Sequence, residues 1–537
     1  MTDATEPAPA DGLVEGGGSV HLDALRAAVD GRDWAAATAV VRAGWFELAA
    51  ADSELTRAVL EKAPAGVLRA NPLLAMELGI AYNKLRFHRI RALRYFLMAV
   101  RSARSMRNTS LDPVDRVLIR TSESAAFRLL GRTASSAAAA HAALGHLEAL
   151  SDEDSGSISD LPRIYAVLGV SLLYAGDPET AMEAAARGLA EASPTPPSNG
   201  MGALALLAGV LALRGDLPHA REHLAYARTG PWTDQQRNGY SGTLYRVAEA
   251  VAALEGFDAA TARAELDSLL AMTSGRHANE HWTTIARVAA AIELVDGDPA
   301  AGLATLDEFA DFRAAEGRST RARSDLARTR SLLLLALGDP DAALAVAQRD
   351  IPPGPGAQIQ RARVALALGQ TGTALDELRT LRSEHLSLRD AAEAAAIESA
   401  VLLRISPTPR RDGVIQRLGA LLERTQLRLP LALLPPADVD RVAGTLAAQG
   451  YTRVTADLPD RFLLRDVEPE ALLSDRELAV LRGLVRTGSV SEIAAVQVVS
   501  VNTVKTQLRS VYRKLGVSNR EDAVAVARER HLLPEHD

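Results

Sequence analysis

Three stretches of the chain carry residue types that could do chemistry. His219-Ala-Arg-Glu222-His223 and His277-Ala-Asn-Glu280-His281 each set two imidazoles one helical turn apart with a carboxylate between them. That spacing can hold zinc and use the glutamate as a base, so a zinc hydrolase is one reading. Two copies in an Ala- and Arg-rich chain are equally what a repeated, solvated helix face would give. The third stretch is Val501–Leu515. Val504, Leu508, Val511 and Leu515 recur at intervals of four, three and four, the spacing of one buried helix stripe. The opposite face shows Asn502, Thr506, Arg509 and Arg513, with Lys505 and Lys514 on its flanks. An amide and a hydroxyl near a helix start can read base edges, and cations further along can hold phosphate.

The elements that must position this face are legible from their caps. Ser474-x-x-Glu477, Ser489-x-x-Glu492 and Ser518-x-x-Glu521 are three capping boxes, each able to satisfy orphan N–H groups at a helix start. Ser500 precedes the helix at Val501–Leu515, but Thr503 stands where the glutamate would be. A helix end aimed at phosphate is better without a carboxylate, which phosphate would repel. Only about Gln497–Val499 separates the second helix from the third, as in a helix-turn-helix. The stripe is expected to pack on Leu478, Leu481, Leu484, Ile493 and Val499.

Charge supports the same face. The 537 residues carry a net charge of −7, which taken alone argues against a nucleic-acid binder. Yet Ser474–Leu533 holds ten Lys/Arg against six Asp/Glu, and Ile493–Arg520 holds five basic residues and no acid. A basic end on an acidic body fits a tail that meets phosphate. Absence of cysteine removes disulfides and thiolate metal sites and suits a cytoplasmic protein. The longest apolar runs, Ala203–Leu213 and Leu332–Leu337, are far short of the ~20 residues a bilayer requires. None of the four lysines follows a glycine, so the Gly-Lys-Ser/Thr loop that cradles nucleotide phosphates is missing. No enzyme activity, cofactor or metal is expected on the main reading.

The body repeats. An apolar helix end, a glycine, a polar or proline residue and an Ala-rich helix recur at Gly176, Gly215, Gly256, Gly297, Gly338 and Gly369, with weaker copies at Gly31 and Gly131. Successive strong copies lie 39, 41, 41, 41 and 31 residues apart. A glycine in the left-handed conformation ends one helix and a proline or acid starts the next. A period near 40 is a helical hairpin, so the fold class is all-α: a TPR-like solenoid of roughly eight hairpins, then a four-helix helix-turn-helix domain. Such an array binds a peptide, protein or small effector, or serves only as a spacer. Pro- and Ser-containing breaks fall at Ala192–Gly200, Ser406–Gly413 and Leu429–Asp438. A short helix is expected at Val439–Gln449 and irregular chain at Tyr451–Val467. The domains are thus a disordered lead-in at 1–18, the repeat region at 19–428, a linker at 429–469 and the terminal domain at 470–537.

The wording of the last segment, Leu473–Leu533, resembles the LuxR-type helix-turn-helix family. The likeness rests on Arg476-Glu477, Val480-Leu481, Glu492-Ile493-Ala494, Ser500, Thr503-Val504-Lys505, Lys514-Leu515-Gly516 and Arg520. "VSVNTVKTQLRSVYRKLGV" is most similar to the maltose-activator-like branch. Gly31–Tyr82 is similar to the segment that follows the NTPase modules of those regulators, so the chain looks like one without its NTPase domain. The resemblance implies a transcription regulator that binds promoter DNA as a homodimer, with RNA polymerase as a further partner. It implies DNA contacts from Thr503, Lys505 and Thr506, adds Lys514 as a motif residue, and makes the helix from near Arg520 the dimerisation helix. Ser500, Asn502, Arg509 and Arg513 complete the expected DNA-binding set. Gln497, Val498 and Gln507 depart from the family's usual leucine, turn glycine and histidine. Beside the regulator stand the zinc hydrolase and a repeat scaffold whose helix-turn-helix mainly dimerises.

Overall fold

The structure, a computed structural model, describes residues 20–50, 53–85, 89–105, 111–193, 200–272, 280–314, 316–383, 386–405, 409–456, 458–459, 462–465, 473, 475–486, 489–515, 517, 519–529 and 532–533. The lead-in at 1–18 lies outside them. The chain is all-α, with no strand among the described residues. It divides into two compact units: 1–210 with 222–248 and 271–275, and 211–221 with 249–270 and 276–537.

In the first unit helices pair with their sequence neighbours. Val20–Asp30 packs on Trp34–Ala43, Pro72–Lys84 on Arg89–Ser105, Pro113–Leu129 on Thr133–Glu148, and Leu161–Ala175 on Pro178–Ala190. Leu25, Leu48, Leu74, Leu118 and Ile164 are among its fully buried side chains. Arg42 Nε lies 2.6 Å from Asp115, tying the first hairpin to the third.

The second unit repeats the scheme with Trp282–Asp296 and Pro299–Phe312, Thr320–Ala336 and Pro340–Arg349, Pro355–Ala367 and Thr371–Arg379, and Leu388–Arg404 and Pro409–Thr425. The joints follow from their sequence. Gly297 takes φ 91°, Asp298 then accepts from the Ala301 amide at 2.8 Å, and Pro299 opens the next helix. Left-handed backbone suits glycine, and the aspartate satisfies a donor the helix leaves free. Gly31 and Gly256 differ from the expected pattern. There Arg32 (φ 55°) and Phe257 (φ 57°) take the left-handed position, and the closing bonds shift with them, from the Asp33 amide to the Ala28 carbonyl and from the Asp258 amide to the Ala253 carbonyl. Gly302 serves another purpose: a Cβ on it would sit 3.0 Å from the Ala290 carbonyl, so two helices of a hairpin approach closely only because it has none.

A buried polar network crosses four of these helices. Glu393 Oε2 accepts from Arg328 at 2.9 Å and from Arg363 at 2.6 Å. Arg328 also donates to Asp390 at 2.7 Å, and Arg363 to Gln360 at 2.7 Å. Gln360 donates to Ser331, whose hydroxyl donates to the Ala343 carbonyl.

Two breaks differ from expectation. Pro409–Thr425 is helical, so the loop expected at Ser406–Gly413 gives way at Pro409, where proline suits a first helical position. Leu429–Ala432 is helical in place of the expected break, and the helix expected at Val439–Gln449 runs from Pro436 to Ala448; Leu431, Val442 and Leu446 on them, and Leu434 between them, are buried. Asp438, fully buried, accepts from Arg404 Nε at 2.9 Å, which holds this helix against Leu388–Arg404. Beyond it Thr452–Thr455 forms one further turn.

Candidate nucleic-acid interface

Four helices form the terminal module: Asp475–Arg486, Val490–Val496, Val501–Leu515 and Arg520–Glu529. The stripe on the third is buried as its spacing requires. Val504 and Leu508 pack with Val480, Leu484, Ile493 and Ala494, while Val511 and Leu515 pack with Leu473, Leu481, Ala523 and Ala527. The first and second helices and the fourth thus hold the third by its apolar side. Leu478 is half-buried beside the second cluster. Val499, expected in the core, is exposed.

The reason lies one residue earlier. Val498 has φ 55°, and the amides of Val498 and Val499 return to the carbonyls of Ala495 and Ala494. This left-handed turn ends the second helix and leads the chain outward. A β-branched residue there is strained, since its Cβ crowds the backbone. Val498→Gly is therefore expected to stabilise the module by about 1 kcal/mol, the left-handed penalty less the extra entropy glycine loses. Amide exchange across Asp475–Leu515 should slow about fivefold. Unchanged or faster exchange would show that the turn is unstrained.

The caps are distinct in kind. Ser489 accepts from the Glu492 amide at 3.5 Å. Ser500 accepts from the Thr503 amide at 3.1 Å, and the two hydroxyls lie 2.8 Å apart. Thr503 thus fills the place of a capping glutamate with a neutral group, leaving the helix start without negative charge. Ser474 and Ser518 lie outside the described residues. The fourth helix begins at Arg520 and is capped by Asn519, which accepts from the Asp522 amide at 2.9 Å, in place of the expected Ser518–Glu521 box. An Asx side chain one residue before the helix takes that position directly.

Asn502, Thr503, Lys505, Thr506 and Arg509 are all exposed on the third helix. Thr506 Oγ1 donates to the Asn502 carbonyl at 2.9 Å, which leaves the hydroxyl oxygen free to accept. The Arg513 side chain lies outside the described residues. Lys514 does not join the exposed set. Its ammonium is 2.9 Å from Glu477 Oε2, itself buried, and 3.2 Å from Asp341. Burial would lower the Lys514 pKa, but the bonds to these carboxylates raise it. Lys514 therefore ties the third helix to the first, with its charge spent on Glu477. Arg520 Nη2 donates to the Leu484 carbonyl at 3.0 Å and ties the fourth helix to the first. Spacing gave no sign of either link, because each joins residues 36 or more positions apart.

Among the described residues the zinc reading finds no support. His219 is exposed and sits 2.9 Å from Asp216, and His277 lies outside the described residues. Among the described residues no group of three or more His, Asp or Glu could hold a metal ion. None of the described helices is long and apolar enough to cross a membrane.

Three packed helices with a tight left-handed turn before an exposed, cationic third helix define a helix-turn-helix module. Residues 471–527 match the family described as "Bacterial regulatory proteins, luxR family". This match supports a DNA-binding transcription regulator. No curated protein matches the chain. Two solved structures align with it along most of its length at low identity. "Crystal structure of APC/C hetero-tetramer Cut9-Hcn1" is 10% identical with TM-score 0.43, over 94% of this chain and 95% of that one. "Structure of Naa15/Naa10 bound to HypK-THB" is 12% identical with TM-score 0.21, over 96% and 94%.

Proposed function

We propose that this regulator reads promoter DNA with the helix Val501–Leu515 in the major groove, while its helical array receives a ligand or protein signal. The observation that carries the reading is the division of that helix into a fully packed stripe and an exposed face of amide, hydroxyls and cations, started by an uncharged cap. Asn502 and Thr506 contact base edges, Thr503 and Ser500 lie beside phosphate at the helix start, and Lys505, Arg509 and Arg513 hold the backbone. Val501, exposed at the first helical position, suits a thymine methyl. Lys514 acts indirectly by fixing the helix on Glu477. Arg520–Glu529 buries Ala523 and Ala527 and exposes Glu521, Asp522, Ala525 and Arg528, a face open to a second copy on DNA. RNA polymerase is the partner through which such a protein would act. The wording of Val499–Val517 favours the maltose-activator-like branch.

Footprinting with the full-length protein on DNA upstream of its own and neighbouring genes tests the reading. A protected segment is expected. Affinity for it should fall at least about tenfold between roughly 50 and 200 mM salt, since each phosphate neutralised releases counterions. No protection, or affinity that ignores salt, would remove DNA reading as the function.

A further inference from the structure

The helix Arg89–Ser105 carries a second basic surface, and this one is not in the terminal module. From Leu78 to Leu111 the sequence holds eight Lys/Arg and no acid, inside a body that is acidic overall. Ile90, Leu93, Leu97 and Met98 recur on one side of the helix and line an open groove of about 520 Å³. Ile90 is a large apolar side chain, 86% exposed among the described residues. Arg94 and Arg101 flank this stripe on the same helix, and Arg69 borders it from Ala65–Ala70.

Several other arginines of this unit are paired. Arg42, Arg57, Arg120 and Arg187 each hold a carboxylate at 2.6 Å. Arg69, Arg94 and Arg101 form no ion pair among the described residues. Three guanidinium groups without an ion-pair partner among the described residues, around an apolar strip, match a molecule that is anionic at its head and aliphatic along its body. The volume is that of a small-molecule site, and the strip, about 12 Å from Ile90 to Met98, is too short to seat a partner helix of several turns.

We propose that this groove binds an anionic amphiphile with a single aliphatic chain, the chain lying along Ile90, Leu93, Leu97 and Met98 and the head held by Arg69, Arg94 and Arg101. This gives a chemical class to the signal that the array receives and rests on that reading. Binding is measured apart from DNA, so failure here leaves promoter recognition untouched.

Decanoate is the probe, titrated into the full-length protein by calorimetry well below micelle formation. Saturable binding of one decanoate per chain is expected, and 1-decanol at equal concentration should bind at least tenfold more weakly. Arg94→Glu/Arg101→Glu should weaken decanoate at least tenfold, whereas Arg349→Glu, on an exposed arginine of the other unit, should not. Ile90→Asp removes only an exposed side chain, and it too should weaken decanoate at least tenfold with helicity unchanged. It decides the matter should the double variant not fold. Vesicles of phosphatidylglycerol should not sediment the protein. The proposal is overturned by absent decanoate binding, by equal binding of decanol, by an Ile90→Asp variant that binds as wild type, or by binding to vesicles alone.

Discussion

Glu393→Ala is expected to destabilise the second unit by about 3 kcal/mol, because it leaves the buried Arg363 guanidinium without a carboxylate, while the half-buried Arg328 keeps only Asp390. Arg363 is 2% exposed and Glu393 7%, and both Arg328 and Arg363 bond the same Oε2. Desolvation alone would raise the Glu393 pKa, but the charges of Arg328 and Arg363 outweigh it and bring it to about 2. An unfolded glutamate titrates near ~4.3. The bound carboxylate therefore contributes its stability in full above that value, and the contribution is lost as pH falls toward 2. Glu393→Gln keeps the shape but not the charge, so it should flatten this acid limb as well as lower stability. Chemical denaturation of the full chain between pH 6 and 3, followed by exchange of amides in Leu388–Arg404, measures both effects. Equal stability of wild type and Glu393→Ala at neutral pH would mean that the arginines find water or other partners once the carboxylate is gone.

That network marks where the sequence ceases to speak. Its members lie at 328, 363, 390 and 393, on helices whose apolar periodicity says only which side is inward. A buried Arg and a solvated Arg read alike in a chain with so many. What could be read is local. The joint Gly297-Asp298-Pro299 states its own geometry, since each residue type is chosen by the backbone angle or free amide at its position. Val501–Leu515 likewise declares its length through Ser500 and its rotation through the four-three-four stripe. Val499 failed because a strained left-handed valine before it redirects the chain, and nothing in an apolar run distinguishes that from a core entry. Spacing puts Lys514 on the flank of the exposed face, and the family resemblance adds it as a motif residue. Its partner Glu477 is 37 residues away, and only tertiary packing makes the pair. Asn519 for Ser518 is a shift of one residue between two good caps, which propensity alone could not order.

The rotation of the third helix is tested by two adjacent residues. Val504 is fully buried with Val480, Leu484, Ile493, Ala494 and Leu508, whereas Lys505 is exposed. Val504→Asp brings a carboxylate into that cluster without a partner, at a cost of several kcal/mol whether it stays charged or takes up a proton. A small domain has only about 5–15 kcal/mol of stability to lose, and a module this size sits at the low end. Loss of exchange protection across Asp475–Glu529, and with it loss of promoter binding, is the expected result. Lys505→Ala removes no core contact and should leave protection unchanged. Its ammonium meets DNA on our reading, so affinity for the footprinted segment should fall by about 1–3 kcal/mol, with a shallower salt dependence if the contact is to phosphate. Both quantities are measured on the full-length chain by hydrogen exchange and by titration of the protected DNA fragment. A folded Val504→Asp that still binds the fragment, or a Lys505→Ala that loses exchange protection, would mean that the other side of Val501–Leu515 faces DNA.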